Sequence, residues 1–113
     1  MNHSSKSHDV NLDVFETIID QHPIVILDFW AEWCAPCKVF APIFESLAET
    51  FPDIYFGKVN TEVATDLAEA FQIRSVPTIM AFKNGELVFE QAGILPAEHF
   101  EKLIHHLSNG RSD

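Results

Sequence analysis

Cysteine and positive charge are both scarce in this chain of 113 residues. Its two cysteines, Cys34 and Cys37, are too few for a secreted scaffold stapled by several disulfides, so whatever the pair does is local. Lysine and arginine number 7 against 17 acidic side chains, a formal charge of -10, and the basic residues form no run. Sequence-independent binding to nucleic acid or to an anionic membrane is thereby disfavoured, because phosphate contacts need clustered Lys and Arg. No apolar run reaches the roughly 20 residues that a membrane-spanning helix requires. The longest, around Ile24 to Trp30, is interrupted by Asp28. The amino-terminal stretch from Met1 to His8 is polar and has neither an apolar segment nor a small-residue cleavage site, so the expected location is the cytoplasm.

What is present suits one compact unit. Hydrophobic residues make up 47% of the chain. A chain of this size should bury roughly 65% of the surface it exposes when unfolded, enough for one core without metals or staples. The expected organisation is a single domain over residues 1–113, with residues 1 to about 8 a flexible polar arm and 109–113 a flexible tail.

Periodicity sets the order of elements. Leu12, Val14, Phe15, Ile18 and Ile19 recur at helical spacing from about Asn11 to Asp20. The run Ile24 to Trp30 lacks polar alternation and reads as a central strand covered on both faces. A helix follows Cys37, with Val39, Phe40, Ile43, Phe44, Leu47 and Phe51 on one face and Pro42 inside it as a kink. A strand is expected over about 53–60. A helix capped by Thr61 should then bury Val63, Leu67 and Phe71. Pro77 to Phe82 and Leu87 to Phe89 flank Asn84-Gly85, a dipeptide suited to a tight hairpin, and Pro96 should open a last helix. Strands alternating with helices predict a mostly parallel α/β sheet covered on both faces, with the hairpin as an antiparallel edge.

The segment Trp33-Cys34-Ala35-Pro36-Cys37 carries the chemistry. Two cysteines separated by two residues at a helix start can close a small disulfide ring, and backbone N–H groups and the helix dipole there favour a thiolate. Pro36 suits the first helical turn because it has no N–H to leave unpaired. Exposure is expected to be asymmetric, with Cys34 attacking a substrate disulfide and Cys37 resolving the mixed disulfide. Two other roles for the pair stay open at this stage. One is half of a zinc site, for which His3, His8, His22, His99, His105 and His106 offer no matching motif, and the other is a pair of inert buried thiols.

Asp28 is the second anomaly. A carboxylate in an apolar central strand must be neutral, hydrogen-bonded or paired, and desolvation should raise its pKa. Six residues before Cys34, it is placed to relay a proton to or from Cys37. The alternative is an edge-strand carboxylate that reaches solvent.

Over nearly its whole length the chain resembles the thioredoxin family. The resemblance rests on Asp28-Phe29-Trp30-Ala31-Glu32-Trp33-Cys34, Pro36-Cys37-Lys38, Ala41-Pro42, Lys58-Val59-Asn60, Val76-Pro77-Thr78, Phe82-Lys83-Asn84-Gly85 and Gly93. It implies the thioredoxin fold, a central mixed sheet flanked by four helices. It also implies reduction of protein disulfides by Cys34 and Cys37, with no bound cofactor and no metal. The buried proton-relay role falls to Asp28, with Lys58 as its neighbour, and Pro77 becomes the cis-proline that faces the cysteines. Trp33, Ala35, Pro36, Val76 and Gly93 would line a shallow substrate groove. The implied partners are an NADPH-dependent thioredoxin reductase and disulfide-containing clients, met by a monomer. Three departures from the family pattern stand out: Ala35 where glycine is usual, Ser75 before Val76 where glycine is frequent, and a poorly represented first strand between His3 and Val10. Two other functions fit the same residues. A thioredoxin-like oxidant or isomerase would differ in redox potential, and a binding module would keep its partners when both cysteines are replaced.

Overall fold

A computed structural model describes residues 6–109. The elements are β1 (His8–Asp9), α1 (Leu12–Gln21), β2 (Ile24–Trp30), α2 (Ala35–Thr50), β3 (Tyr55–Asn60), α3 (Thr65–Ala70), β4 (Thr78–Lys83), β5 (Glu86–Ala92) and α4 (Ala97–Asn109). The five strands form one mixed sheet in the order β1-β3-β2-β4-β5. β3 lies parallel to both β1 and β2, and β4 is antiparallel to both β2 and β5. This is the thioredoxin fold. Among the described residues no helix is long and apolar enough to cross a membrane.

β2 is central because its sequence leaves it no polar face. Val25 to Phe29 are all buried, and side-chain alternation sends them to opposite layers. Ile26 joins Phe40, Phe44, Phe56, Ile79, Phe100 and Ile104 beneath α2 and α4, where the Phe40 and Phe100 rings stack with centroids 5.9 Å apart. Val25, Leu27 and Phe29 pack on the other side with Ile18 of α1 and Leu67 of α3, flanked by Phe15 and Phe71. Lys83 Nζ donates to the Leu107 carbonyl over 2.7 Å and so ties β4 to the carboxyl end of α4.

Several sequence expectations hold. The strand over Ile24–Trp30 falls where the apolar run placed it, the first helix occupies Leu12–Gln21, where Asn11 caps it through the Val14 N–H, a cap the sequence reading did not assign, and α2 continues through Pro42. The Asn84-Gly85 turn has φ of 52° and 85°, the left-handed values that a two-residue hairpin demands.

Others are corrected. Thr61 does not cap α3, which begins at Thr65. Its hydroxyl instead donates to the Trp30 carbonyl over 3.0 Å, leaving Val63 78% exposed in the connecting turn. The first strand, doubtful in sequence, exists as two residues paired with Gly57 and Lys58. Ser7, inside the expected polar arm, is buried and bonded to Glu45. Asn109, the first residue of the expected tail, belongs to α4. The rest of both predicted segments, 1–5 and 110–113, lies outside the described residues.

Gly57 marks where the thin edge of the sheet closes. A Cβ built there would sit 2.7 Å from Val10 Cγ2 and 2.8 Å from Leu27 Cδ2, and both residues are buried. Gly57→Ala is expected to destabilise the protein by about 1–3 kcal/mol, the range for overpacking a filled core. An unchanged denaturation midpoint in guanidinium would show that the edge relaxes freely.

Candidate active site

The site is built where β2 ends and α2 begins. Cys34 is the N-cap of α2 and Cys37 lies in its first turn, with Pro36 at a position where a missing N–H costs nothing. The two sulfurs are joined in a disulfide, with Cα atoms 5.2 Å apart. Cys34 Sγ accepts the Cys37 N–H at 3.1 Å. In the dithiol state the same donor would make a charge-assisted bond to a Cys34 thiolate, the form that a helix amino terminus favours.

The expected asymmetry of exposure is absent in the disulfide form: Cys34 is 1% and Cys37 3% exposed. Cys34 is drawn inward by the Cys37 amide and packs with Ala31, Trp30 and Val76. The surface around the ring is instead presented by Trp33, 71% exposed, and by exposed Ala35 and Pro36.

A loop distant in sequence completes the site. The Val76-Pro77 peptide bond is cis, as the resemblance implied, and the Val76 carbonyl oxygen lies 3.6 Å from Cys34 Sγ. Thr78 Oγ1 donates to the Ser75 carbonyl over 2.7 Å, which folds this loop onto the start of β4. Gly93 N–H donates to the Pro77 carbonyl over 2.7 Å, so the end of β5 joins the same rim. Gly93 has a φ of 95°, left-handed backbone that glycine adopts without strain. Trp33, Ala35 and Pro36 therefore come from the redox turn, and Val76 and Gly93 from the facing loops. Ser75, next to Val76 in the chain, is exposed.

Asp28 lies in β2, the strand that leads to the redox turn. It is 1% exposed in the central strand, and neither carboxylate oxygen has a hydrogen-bond partner among the described residues. The edge-strand alternative is thereby overturned. Alternation along β2 puts Asp28 in the same layer as Ile26 and the α2 side chains. Lys58 is its register partner on β3, with Nζ 5.0 Å from the Trp30 ring centroid. Burial pushes the Asp28 pKa up to about 7, against an opposing pull from Lys58 and with a smaller push from Glu45.

Three contributors were not legible in the sequence. Glu45 adds negative charge from α2, and Ser7 binds its carboxylate. Trp30 Nε1 is buried without a hydrogen-bond partner among the described residues. Only Glu45 left a trace. It stands eight residues after Cys37 on a stripe through Ala41, but a half-apolar helix face gives no reason to single it out.

Comparison with known proteins agrees with this geometry. A family model described as thioredoxin matches residues 6–106. A Streptomyces coelicolor protein carrying the name thioredoxin 2 is 49% identical over 82 residues, which cover 73% of this chain and 61% of that one. Thioredoxin-1 of Caenorhabditis elegans is 41% identical over 96 residues, 83% of this chain and 84% of its own. Among solved structures, oxidised mitochondrial thioredoxin 3 from Saccharomyces cerevisiae superposes with a TM-score of 0.83 at 31% identity, over 92% of this chain and 100% of that one. An N21Q mutant thioredoxin from Halobacterium salinarum gives 0.85 at 29% identity, over 96% and 97%.

Proposed function

The chain belongs to the thioredoxin family of thiol-disulfide oxidoreductases, and from that premise we propose that it works as a single-domain reductant of protein disulfides. The observation that carries this is the Cys34–Cys37 disulfide at the start of α2, facing a cis-proline loop across an open apolar rim. In the dithiol form the Cys34 thiolate attacks one sulfur of a client disulfide. The client S–S bond breaks, one client thiolate leaves, and a Cys34–client disulfide forms. The Cys37 thiolate then attacks Cys34 Sγ, the second client thiolate leaves, and the Cys34–Cys37 disulfide closes. Two electrons and two protons pass to the client in total.

Asp28 serves as the proton relay for Cys37. A carboxyl that titrates near pH 7 can both accept and return a proton at neutral pH. Lys58 moderates that titration as the facing cation. Pro77 has no N–H to donate and shapes the loop so that Val76 keeps its backbone free to pair with an extended client segment. Trp33, Ala35, Pro36, Val76 and Gly93 seat the apolar residues that flank the client disulfide. Ala35 in place of glycine restricts the ring backbone and so tunes its potential. The oxidised form is returned to the dithiol by an NADPH-dependent thioredoxin reductase. The protein acts as a monomer in the cytoplasm, with no bound cofactor or metal.

The test is dithiothreitol-driven reduction of insulin, followed as turbidity from the released B chain. Turbidity is expected to appear well before that of a control with dithiothreitol alone. Identical time courses would contradict the reading.

A further inference from the structure

The turn that follows β3 lies against the redox turn, and four hydrogen bonds fix where it sits. Thr61 N–H and Thr61 Oγ1 both donate to the Trp30 carbonyl, over 2.9 and 3.0 Å. Glu62 N–H donates to Asn60 Oδ1 over 2.9 Å, and Glu62 Oε1 accepts the Glu32 N–H over 3.4 Å. The Glu62 carboxylate is thereby placed against the backbone of the residue that precedes Trp33.

Each of the two joined turns carries a large apolar side chain in solvent. Val63, which follows Glu62, is 78% exposed, and Trp33, which follows Glu32, is 71% exposed. They are the two most exposed large apolar residues among those described. Single exposed apolar residues are ordinary, but here the pair flanks a carboxylate beside the redox ring. The nearby basic residues stand elsewhere on the rim: exposed Lys38 follows Cys37 in α2, and exposed Arg74 precedes Ser75 in the cis-proline loop. The Trp33 side of the rim is therefore its negative side.

We propose that Glu62 is a specificity-determining residue of the client site, which extends from Trp33 onto the turn after β3 and favours disulfides flanked by Lys or Arg. The proposal rests on the reading of this protein as a reductant of client disulfides. A long basic side chain matches both features of the surface, because its stem covers apolar area while its charged head meets the carboxylate. Arginine matches best, since its planar guanidinium also stacks on an indole face such as that of Trp33. Acidic flanks are disfavoured by the same carboxylate and by the overall charge of -10. Glu62 is exposed, so the preference is modest and weakens in salt.

The experiment uses two synthetic peptides with the same disulfide and the same apolar residues, one flanked by arginines and the other by glutamates. The full chain in its dithiol form reduces each peptide under single-turnover conditions, in low and high salt. Every rate is divided by that of dithiothreitol on the same peptide, which removes the effect of the flanks on the disulfide itself. Wild type is expected to prefer the arginine peptide roughly fivefold in low salt, with most of the preference gone in high salt. Glu62→Gln should lose most of the low-salt preference, and Glu62→Lys should abolish or reverse it. Gln retains an oxygen for the Glu32 N–H, so its effect reports the charge rather than the seating of the turn. The same preference in wild type and Glu62→Lys overturns the role of Glu62 and leaves disulfide reduction standing. Reduction of neither peptide above the rate of a Cys34→Ser control overturns the reductant reading, and the proposal with it.

Discussion

Cys34→Ser is expected to abolish turnover, and Cys37→Ser to trap the client. In the first variant insulin reduction falls by on the order of a thousandfold or more, to the background of the small thiol, because a hydroxyl cannot form the sulfur–sulfur bond on which both steps depend. In the second variant attack proceeds but no thiolate resolves the product, so a mixed disulfide through Cys34 accumulates and is visible as a mass adduct. The proposed order is supported by two contacts: Cys34 Sγ lies 3.6 Å from the Val76 carbonyl oxygen and accepts the Cys37 N–H, a donor that would favour a thiolate on Cys34 in the dithiol form. An adduct that formed on Cys37 of the Cys34→Ser variant at a comparable rate would reverse the two roles. That only 1% of Cys34 is exposed in the disulfide form bears on access to the closed ring.

Asp28→Asn should make the protein more stable at pH 8 and slower at exchange. The sign follows from proton linkage. Asp28 has its folded-state pKa raised from an ordinary 3.8 to about 7, so between those values the native state binds more protons than the unfolded chain. Stability from this group is fully present below about pH 4, declines as pH rises, and is lost above about pH 7. The full difference corresponds to about 4 kcal/mol at 1.36 kcal/mol per pKa unit. The buried amide that replaces the carboxyl takes back part of it, so about 2–4 kcal/mol is expected. Guanidinium denaturation of the oxidised proteins should give nearly equal stabilities near pH 4 and a widening gap in favour of Asp28→Asn up to pH 8. A variant less stable than wild type at pH 8 would mean that the ionised carboxylate is well satisfied in the fold. On the proposed relay role of Asp28 the same substitution also slows exchange, so stability and rate should move in opposite directions.

The parts of the molecule legible in sequence are those whose signals are local. β2 announces itself through six apolar residues interrupted only by Asp28, the hairpin through Asn84-Gly85, and the redox turn through two cysteines, a proline and a helix start. Asp28 was legible for the opposite reason, as a charge where the pattern allows none. What escaped depends on contacts between distant segments. Thr61 has the right chemistry for a helix cap, but the carbonyl of Trp30 lies 3.0 Å from its hydroxyl and takes its hydrogen bond. β1 is too short for any periodicity to register, and it is held by pairing with β3 rather than by its own side chains. The Ser7–Glu45 contact spans 38 residues of chain, and neither residue is unusual where it stands. The exposure of Cys34 was misjudged because a sequence motif marks the ring but says nothing of how Val76 and Ala31 enclose it.

The family relationship establishes exchange between thiols and disulfides, and the direction of that exchange is the substance of the functional proposal. Direction is set by the reduction potential of the Cys34–Cys37 couple, which combines the cost of the ring backbone at Ala35, the stabilisation of a Cys34 thiolate by the Cys37 amide, and the proton held at Asp28. Equilibration of the full chain in glutathione buffers of graded ratio, followed by alkylation of the free thiols and mass measurement, reads that potential directly. The expected result is a couple more reducing than glutathione, so that the disulfide persists until the buffer is almost wholly reduced. A pair already in the dithiol form in a predominantly oxidised glutathione buffer would contradict it and mark the protein as an oxidant.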